Sequence, residues 1–234
     1  MAAPITESLS IRGPWPRGRL MDAYLARPAE GGLYPGVVVI HELYGLNDNI
    51  RDICQRFVGE GYVALAVDLF SNAIRPLCMA RIFYGILVSP LRNGTVGELQ
   101  AVIGALQGRP DVDPRRVGAI GFCMGGAYAL QLACVSGDLR VASAFYGNNP
   151  RPLEAVARAC PIVGSYPEND YSAGAGRALD SALQRFNVPH DVKVYAGAKH
   201  SFFNDLGPNY HAHSATDSWA RTLAFFTQHL QPTA

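Results

Sequence analysis

The sequence has few of the features that mark nucleic-acid-binding or membrane proteins. Charged residues make up only 17% of the 234 residues, the net charge is +1, and no run of basic residues occurs. A nucleic-acid-binding protein needs a basic patch, so no nucleic-acid partner is expected. No apolar stretch approaches the ~18 residues that a membrane-spanning helix needs, so no membrane partner is expected either.

The N-terminus and the cysteines exclude further classes. Residues 1–10 lack the charged start and the apolar run of about 7–15 residues that mark a secretion signal. The five cysteines are odd in number and scattered, with no CxxC spacing and no metal-ligand pattern with the histidines. We therefore expect a soluble cytoplasmic protein with reduced thiols and no disulfide framework, metal or organic cofactor.

What the chain does have is a regular alternation of short apolar runs and longer amphipathic segments, which is typical of βαβ units. The predicted strands are residues 18–26, 36–41, 62–67, 116–121, 140–146, 161–165 and 190–195, and a turn at Asp113-Pro114 precedes the fourth. The predicted helices are residues 49–60, 95–107, 124–136, 173–187 and 212–230. The length fits one domain, residues 1–234, with a mostly parallel, doubly wound α/β sheet flanked by helices.

Residues 71–93 are the segment whose structure the pattern leaves open. In a doubly wound sheet they would follow the C-terminal end of a strand, where ligands bind. The segment combines arginines with aromatic residues, Arg75, Arg81, Phe83 and Tyr84 among them. It therefore either covers a site as a lid or forms an ordinary packed helix.

The most informative motif is GFCMGG at residues 121–126, between a predicted strand and a predicted helix. This is the context of a nucleophile elbow, a strained turn that needs small residues on both sides, here Gly121 and Gly125. The following helix directs free N–H groups and a partial positive charge at Cys123, an environment that favours a thiolate. The motif predicts an α/β-hydrolase fold with Cys123 as nucleophile.

A buried structural cysteine is the alternative interpretation, because free cysteine is among the most buried residue types. We adopt that interpretation for the four cysteines outside the elbow: Cys54, Cys78, Cys134 and Cys160. At Cys123 the flanking glycines and the strand–helix context favour catalysis.

A nucleophilic thiol needs a base, and an acid must orient that base; α/β-hydrolases place them in the order nucleophile, acid, histidine. Of the five histidines after the elbow, His200 lies just past the C-terminal end of a predicted strand, at the same edge as the elbow. His190 begins a strand at the opposite edge, His229 is expected to be exposed at the end of the last helix, and His211 and His213 begin that helix. We predict His200 as the base.

The predicted acid is Asp170, in the loop after the strand at residues 161–165. That loop also lies at the edge of the elbow. Glu168, in the same loop, is the weaker candidate because it would reach a different place. Capping of the following helix is the alternative role for Asp170, one that aspartate often takes.

A second loop, residues 41–47, follows the strand at residues 36–41 and is predicted to complete an oxyanion hole. The N–H groups of Leu43 and Met124 would hold the oxyanion, and losing one such donor typically costs ~3 kcal/mol. Glu42 either contacts the Cys123 thiol and holds it protonated, or forms an ordinary ion pair, for example with Arg51.

Taken together, the ELYGLN loop at residues 42–47, the elbow, Asp170 and the GAKHSF segment at residues 197–202 resemble the dienelactone hydrolase family of α/β-hydrolases. The resemblance covers nearly the whole chain, and a cysteine elbow combined with the glutamate loop is specific, since most α/β-hydrolases carry serine. The resemblance implies that Glu42 keeps the thiol protonated until substrate binds and then takes its proton.

The substrate is where the sequence departs from the family. Members that cleave dienelactone hold its carboxylate with arginines, one just after the catalytic histidine, whereas residues 201–205 contain none. A neutral ester or another lactone would suit an aromatic pocket equally well. The candidate substrate-binding residues are Tyr44, Arg75, Arg81, Phe83, Tyr84, Phe202 and Phe203.

The predicted function is hydrolysis of small carboxylic esters or lactones through a Cys-His-Asp triad and a thioester acyl-enzyme. A thiol peptidase is one alternative, although nothing indicates a peptide cleft. A redox enzyme is another, but Cys134 would lie about 16 Å from Cys123 along one helix. A non-catalytic ligand-binding protein on the same fold would have no need of the complete triad. The protein is expected to be a monomer, with a homodimer as the alternative.

Overall fold

The computed structural model describes residues 3–14, 18–72, 74–88 and 91–230. Its strands are β1 (Ile5–Arg12), β2 (Leu20–Arg27), β3 (Tyr34–Ile40), β4 (Val63–Val67), β5 (Val112–Phe122), β6 (Val141–Phe145), β7 (Ile162–Asn169) and β8 (His190–Lys199). Its helices are α1 (Asp48–Gly59), α2 (Arg75–Leu87), α3 (Gly94–Gln107), α4 (Met124–Val135), α5 (Ala173–Arg185) and α6 (Ala212–His229). A 3-10 helix (Leu153–Arg158) lies between β6 and β7.

The eight strands form one sheet in the order β1-β2-β4-β3-β5-β6-β7-β8. The first two strands pair antiparallel with each other, and β2 pairs antiparallel with β4. All other neighbours are parallel. The predicted α/β-hydrolase architecture, a mostly parallel sheet flanked by helices, is confirmed. Within the described residues, no helix is both long and apolar enough to cross a membrane.

The central strands are buried on both faces, as the continuous β-branched run of β3 predicts. Val38 and Ile40 pack into the core on one side of the sheet, and Val37 and Val39 pack into the core on the other. Because both faces are covered by helices, access to the sheet is confined to its edges. The loops at the C-terminal ends of the parallel strands are therefore the place for a site.

Three parts of the chain differ from the sequence-based expectation. The edge strand β1 and the 3-10 helix were not predicted; β1 exposes alternate residues and shows only a weak strand pattern. Residues Asp113 and Pro114 lie inside β5, not in a turn before it. Pairing of β3 with β5 is irregular between Tyr34 and Gly36, and through this irregular pairing β5 begins at Val112, before the predicted start at residue 116.

The open segment contains α2, which packs by one face only. Its buried residues are Cys78, Ile82, Gly85 and Ile86. Gly85 allows close contact with α4, because a Cβ there would lie 2.7 Å from the Tyr128 hydroxyl. That hydroxyl donates a hydrogen bond to the carbonyl oxygen of Ile82 at 2.9 Å. The opposite face of α2 is apolar and exposed.

Candidate active site

Four loops meet at the C-terminal edge of the parallel strands, and each carries one candidate residue. Glu42 follows β3, Cys123 follows β5, Asp170 follows β7 and His200 follows β8. All four therefore lie at the edge that the sequence predicts. Tyr146, which follows β6, is a fifth member that was not predicted.

Cys123 occupies a strained turn between β5 and α4. Its φ is +55° and its ψ is −117°, a region that a residue with a Cβ adopts at a cost of about 1–3 kcal/mol. The flanking glycines permit this turn. A Cβ on Gly125 would lie 2.8 Å from the carbonyl oxygen of His41, and a Cβ on Gly121 would lie 2.8 Å from the backbone nitrogen of Gly126. The elbow geometry that the motif predicts is present.

The surroundings of the half-buried Cys123 thiol oppose its ionisation. Burial raises its pKa to about 11, with further contributions from the negative charges of Glu42 and Asp170. The Met124 N–H and the Tyr171 hydroxyl act in the opposite direction by hydrogen bonding. The favourable effect of the helix N-terminus is thus outweighed, and the thiol is protonated at neutral pH in this state.

His200 and Asp170 form a hydrogen-bonded pair, with 2.9 Å between His200 Nδ1 and Asp170 Oδ2. The same carboxylate oxygen accepts hydrogen bonds from the backbone N–H of Ser172, at 3.2 Å, and from its hydroxyl. Burial alone would raise the pKa of Asp170, but the bonds from His200 and Ser172 lower it below its ordinary value. The N-cap of α5 is Ser172 and not Asp170, whose carboxylate contacts both Ser172 and the histidine.

Two tyrosine rings enclose the His200 imidazole. The Tyr146 ring centroid lies 4.9 Å away, and the Tyr171 ring is stacked on the imidazole at 5.3 Å with an interplanar angle of 22°. The backbone of His200 is also held, because Asn209 donates to its carbonyl oxygen at 3.0 Å. Neither tyrosine was predicted from the sequence; the signal available for both was a position just past the C-terminal end of a parallel strand.

Glu42 is only 5% exposed and accepts a hydrogen bond from the hydroxyl of Tyr146 at 2.7 Å. Burial and the Glu42 charge raise the pKa of Tyr146 well above its ordinary value, so the phenol remains a donor. The alternative ion pair of Glu42 with Arg51 does not form, because Arg51 pairs with Asp48 at 2.8 Å. Glu42 is thus a buried carboxylate whose charge acts on the thiol.

The loop that carries Leu43 is fixed from two sides. His41 is buried and its Nε2 accepts the Leu69 N–H at 2.9 Å, so Nδ1 carries the proton and donates to the Glu42 carbonyl oxygen at 2.5 Å. Burial lowers the pKa of His41, which agrees with a neutral ring. From α2, Arg75 Nη2 donates to the Leu43 carbonyl oxygen at 2.7 Å. The His41 bond holds the peptide whose N–H is the predicted oxyanion donor, and the Arg75 bond holds the next peptide.

A cavity of about 490 Å³ adjoins His200 and is large enough for a small ester. Its lining residues are Tyr44, Asn47, His200, Ser201, Asn204, Leu206, Gly207, Pro208 and Asn209. Tyr44 is 65% exposed at this opening. Phe83 and Tyr84 are on α2 and keep exposed surface, so they remain candidates for substrate contact.

The remaining substrate-binding candidates are engaged elsewhere. Arg81 forms a two-pronged ion pair with Glu98, at 2.8 Å for both contacts, and Arg19 binds the same carboxylate. Phe202 and Phe203 are buried and pack their rings against Phe145. The geometry therefore gives Arg81 an ion-pair role and the two phenylalanines a packing role.

A larger cavity, of about 1050 Å³, lies away from these residues, at the C-terminal end of α4. It is bordered by Cys134, whose pKa burial raises to about 12, and by exposed arginines. Among the described residues, its lining contains neither a histidine nor a carboxylate that could serve Cys134 as a base. In the described part of the chain, no cluster of three or more histidine, cysteine or acidic residues could hold a metal ion.

Comparison with known proteins agrees with this arrangement. The profile of the dienelactone hydrolase family matches residues 21–230. A protein of Saccharolobus solfataricus assigned as a carboxymethylenebutenolidase is 34% identical, over 89% of this chain and 94% of its own length. A protein of Escherichia coli K12 with the same assignment is 33% identical, over 91% of this chain and 84% of its own.

Solved structures show the same relationship. A crystal structure assigned as a dienelactone hydrolase, from Klebsiella pneumoniae, has a TM-score of 0.82 at 31% identity, covering 97% of this chain and 100% of its own. A dienelactone hydrolase-like promiscuous phosphotriesterase from metagenomic libraries has a TM-score of 0.85 at 25% identity, covering 98% and 100%. On the family match and on these relatives, the chain belongs to the dienelactone hydrolase family and is a dienelactone hydrolase-like hydrolase.

Proposed function

We propose that the protein hydrolyses small carboxylic esters or lactones by a two-step acyl transfer through Cys123. The observation that carries the proposal is the strained elbow, which sets the thiol beside a buried carboxylate and close to a histidine–aspartate pair. A structural cysteine does not require this turn, whereas a nucleophile requires a turn that exposes its side chain above the sheet, where a substrate can bind.

In the first step Glu42 takes the thiol proton when substrate enters. The thiolate attacks the carbonyl carbon, and the Leu43 and Met124 N–H groups hold the oxyanion. Collapse of the tetrahedral intermediate breaks the ester C–O bond and leaves a thioester on Cys123. The leaving alkoxide or enolate receives the proton that left the thiol.

In the second step His200, oriented by Asp170, takes a proton from water. The hydroxide attacks the thioester carbonyl carbon, and the C–S bond breaks with its electron pair going to Sγ. The proton on His200 returns to the sulfur and restores the resting thiol. The acid leaves, and the sum is one ester and one water converted to an acid and an alcohol.

Uncharged esters and lactones are the substrates that the site supports best. Arg81 already binds Glu98, Arg75 already binds the Leu43 carbonyl oxygen, and residues 201–205 contain no arginine. A carboxylate such as that of dienelactone would therefore have to compete for one of these guanidinium groups. The relatives assigned as carboxymethylenebutenolidases support the lactone class, and the neutral surroundings of the cavity extend it to simple esters.

The test is to alkylate the protein with iodoacetamide, map the labelled cysteine by mass spectrometry, and follow the hydrolysis of p-nitrophenyl esters and a dienelactone. We expect hydrolysis to fall in step with labelling of Cys123. The Cys123→Ala variant should be inactive, while Cys160→Ala, which alters a thiol outside the site, should retain activity. Full hydrolysis by protein labelled completely at Cys123 would contradict the proposal and favour a ligand-binding role.

A further inference from the structure

Tyr171 lies beside both reacting groups of the site, although the acid–base scheme above gives it no task. It directly follows Asp170 in the loop between β7 and α5. Its ring is stacked on the His200 imidazole, and its hydroxyl lies near enough to the Cys123 thiol for each group to shift the pKa of the other. With 68% of its surface exposed, it lies on the solvent side of both.

The charges around Sγ show what such a contact can do. Burial and two carboxylates, Glu42 and Asp170, disfavour the thiolate, and two donors favour it, the Met124 N–H and the Tyr171 hydroxyl. The proposed mechanism also requires the Met124 N–H for the substrate oxyanion. When the oxyanion occupies that N–H, the Tyr171 hydroxyl is the other donor near the sulfur.

We propose that Tyr171 is a catalytic residue, which donates a hydrogen bond to Sγ of Cys123 whenever the sulfur is anionic. This inference rests on the proposed function of Cys123. The thiolate exists twice in one turnover, before it attacks the ester and again when the C–S bond of the second tetrahedral intermediate breaks. In both cases the phenol keeps its proton: it stabilises the electron pair on sulfur, and His200 returns the proton that closes the cycle.

The phenol is suited to this role because it does not ionise in the working range. Although most of the Tyr171 surface is exposed, partial desolvation of its phenol, the thiol and Asp170 raise the pKa of Tyr171 to about 12, so the hydroxyl remains a donor at neutral pH. Its exposed position lets the side chain adjust while the acyl group enters. Stacking on the imidazole keeps it near the sulfur during both steps.

The test uses Tyr171→Phe, which removes the hydroxyl and keeps the ring on His200, and Tyr171→Leu, which removes both. The matched control is Tyr210→Phe, since Tyr210 is also an exposed tyrosine and is outside the proposed machinery. The first readout is the rate of Cys123 alkylation by iodoacetamide against pH, which reports on the thiolate without any ester. The second is the steady-state kcat for p-nitrophenyl acetate.

For Tyr171→Phe we expect the apparent thiol pKa to rise by about one unit, a tenfold loss of thiolate. Because a more basic thiolate is also more nucleophilic, alkylation at neutral pH should slow by about threefold. The kcat should fall by about tenfold, because hydrogen bonds to charged groups are the strong ones. The Tyr210→Phe variant should match the unaltered protein in both readouts.

A purely structural role would give a different pattern. If stacking on His200 were all that mattered, Tyr171→Phe would keep both the alkylation profile and kcat, and only Tyr171→Leu would lose activity; that result overturns the inference. Failure of the proposed function is recognised separately, because hydrolysis by the unaltered protein would then survive complete labelling of Cys123.

Discussion

The two sides of the site are built differently. On the nucleophile side, the loops after β3 and β6 hold Glu42 and Tyr146 in buried positions, joined by a short hydrogen bond, and the loop after β5 holds Cys123 half-buried in a strained turn. On the entrance side, α2 presents an exposed apolar face, and Tyr44 stands out beside the cavity. The residues of the nucleophile side are therefore held in fixed positions, whereas the entrance side is an exposed surface that makes few specific contacts.

This contrast shows where function and specificity reside in the fold. Stabilising charge that develops during a reaction needs groups that are already in position, so the chemistry depends on the buried side. Choosing among substrates needs only surface of suitable shape and polarity. We therefore expect substitutions on the nucleophile side to be costly for folding or catalysis, and substitutions on the entrance side to alter substrate preference.

The largest expected effect comes from Gly125→Ala on the nucleophile side. Its new Cβ would collide with the backbone carbonyl oxygens of Ile40 and His41, which cannot rotate away. We expect a loss of at least about 3 kcal/mol in the free energy of unfolding, or failure to fold, because overpacking against backbone forces the strand and helix apart. Denaturant unfolding followed by circular dichroism measures this loss.

Gly104→Ala is the matched control, since Gly104 also lies in a helix, α3, but a Cβ there would meet nothing within 4 Å. It should be neutral or stabilise the protein by up to about 1 kcal/mol, because alanine is the better helix former. Equal effects of the two substitutions would mean that the elbow is looser than the contacts indicate.

The nucleophile side is also the part that sequence could predict. An elbow needs Gly121 and Gly125 whatever surrounds it, so the motif fixes the turn, the position of Cys123 and the edge of the sheet at once. The order of Cys123, Asp170 and His200 then follows from strand ends. Tyr146 escaped prediction because no motif links it to Glu42; their contact depends on the pairing of β6 beside β5.

A smaller effect is expected from Glu42→Gln on the nucleophile side, which should change thiol ionisation and turnover in opposite directions. In Glu42→Gln the amide oxygen can still accept the Tyr146 hydroxyl, but the negative charge that helps raise the Cys123 pKa is gone. The thiol pKa should fall by about one unit, which increases the thiolate at neutral pH about tenfold. Alkylation by iodoacetamide should therefore be about threefold faster, because the less basic thiolate is a weaker nucleophile.

Hydrolysis should move the other way, since Glu42 takes the thiol proton in the proposed mechanism. Asp48→Asn serves as the control, because Asp48 is an exposed carboxylate at the start of α1 that pairs with Arg51. It should change neither rate. If alkylation and hydrolysis both became faster in Glu42→Gln, Glu42 would only disfavour ionisation of the thiol and would not act as its base.

The predicted substrate-binding residues show what sequence could not predict. Arg81, Phe202 and Phe203 have the residue types of a binding pocket, but their partners are distant in sequence. Arg81 pairs with Glu98 because α2 and α3 are neighbours. Packing against the sheet buries both phenylalanines beside Phe145. Residue type alone cannot distinguish an arginine that is available to bind a substrate carboxylate from one that is already paired with a carboxylate of the protein.

The smallest expected effect, Arg81→Gln, tests that distinction directly. Burial would raise the pKa of Glu98, but its bonds to Arg81 and Arg19 lower it below the ordinary value. The ion pair thus stabilises the fold above the unfolded-state pKa of this carboxyl and is lost as the pH falls through the folded-state pKa. We expect Arg81→Gln to cost about 1–2 kcal/mol at pH 7, since Arg19 still pairs with Glu98, and less in acid.

The measurement that decides is unfolding at neutral and acid pH together with KM for a p-nitrophenyl ester and for a dienelactone. Arg115→Gln is the control, because Arg115 is an exposed arginine paired with Asp113 far from α2. A structural ion pair predicts lower stability and an unchanged ratio of the two KM values. If stability held while KM rose for the dienelactone alone, Arg81 would be a carboxylate receptor, and the entrance side would then hold a group reserved for substrate, as the nucleophile side does for the thiol.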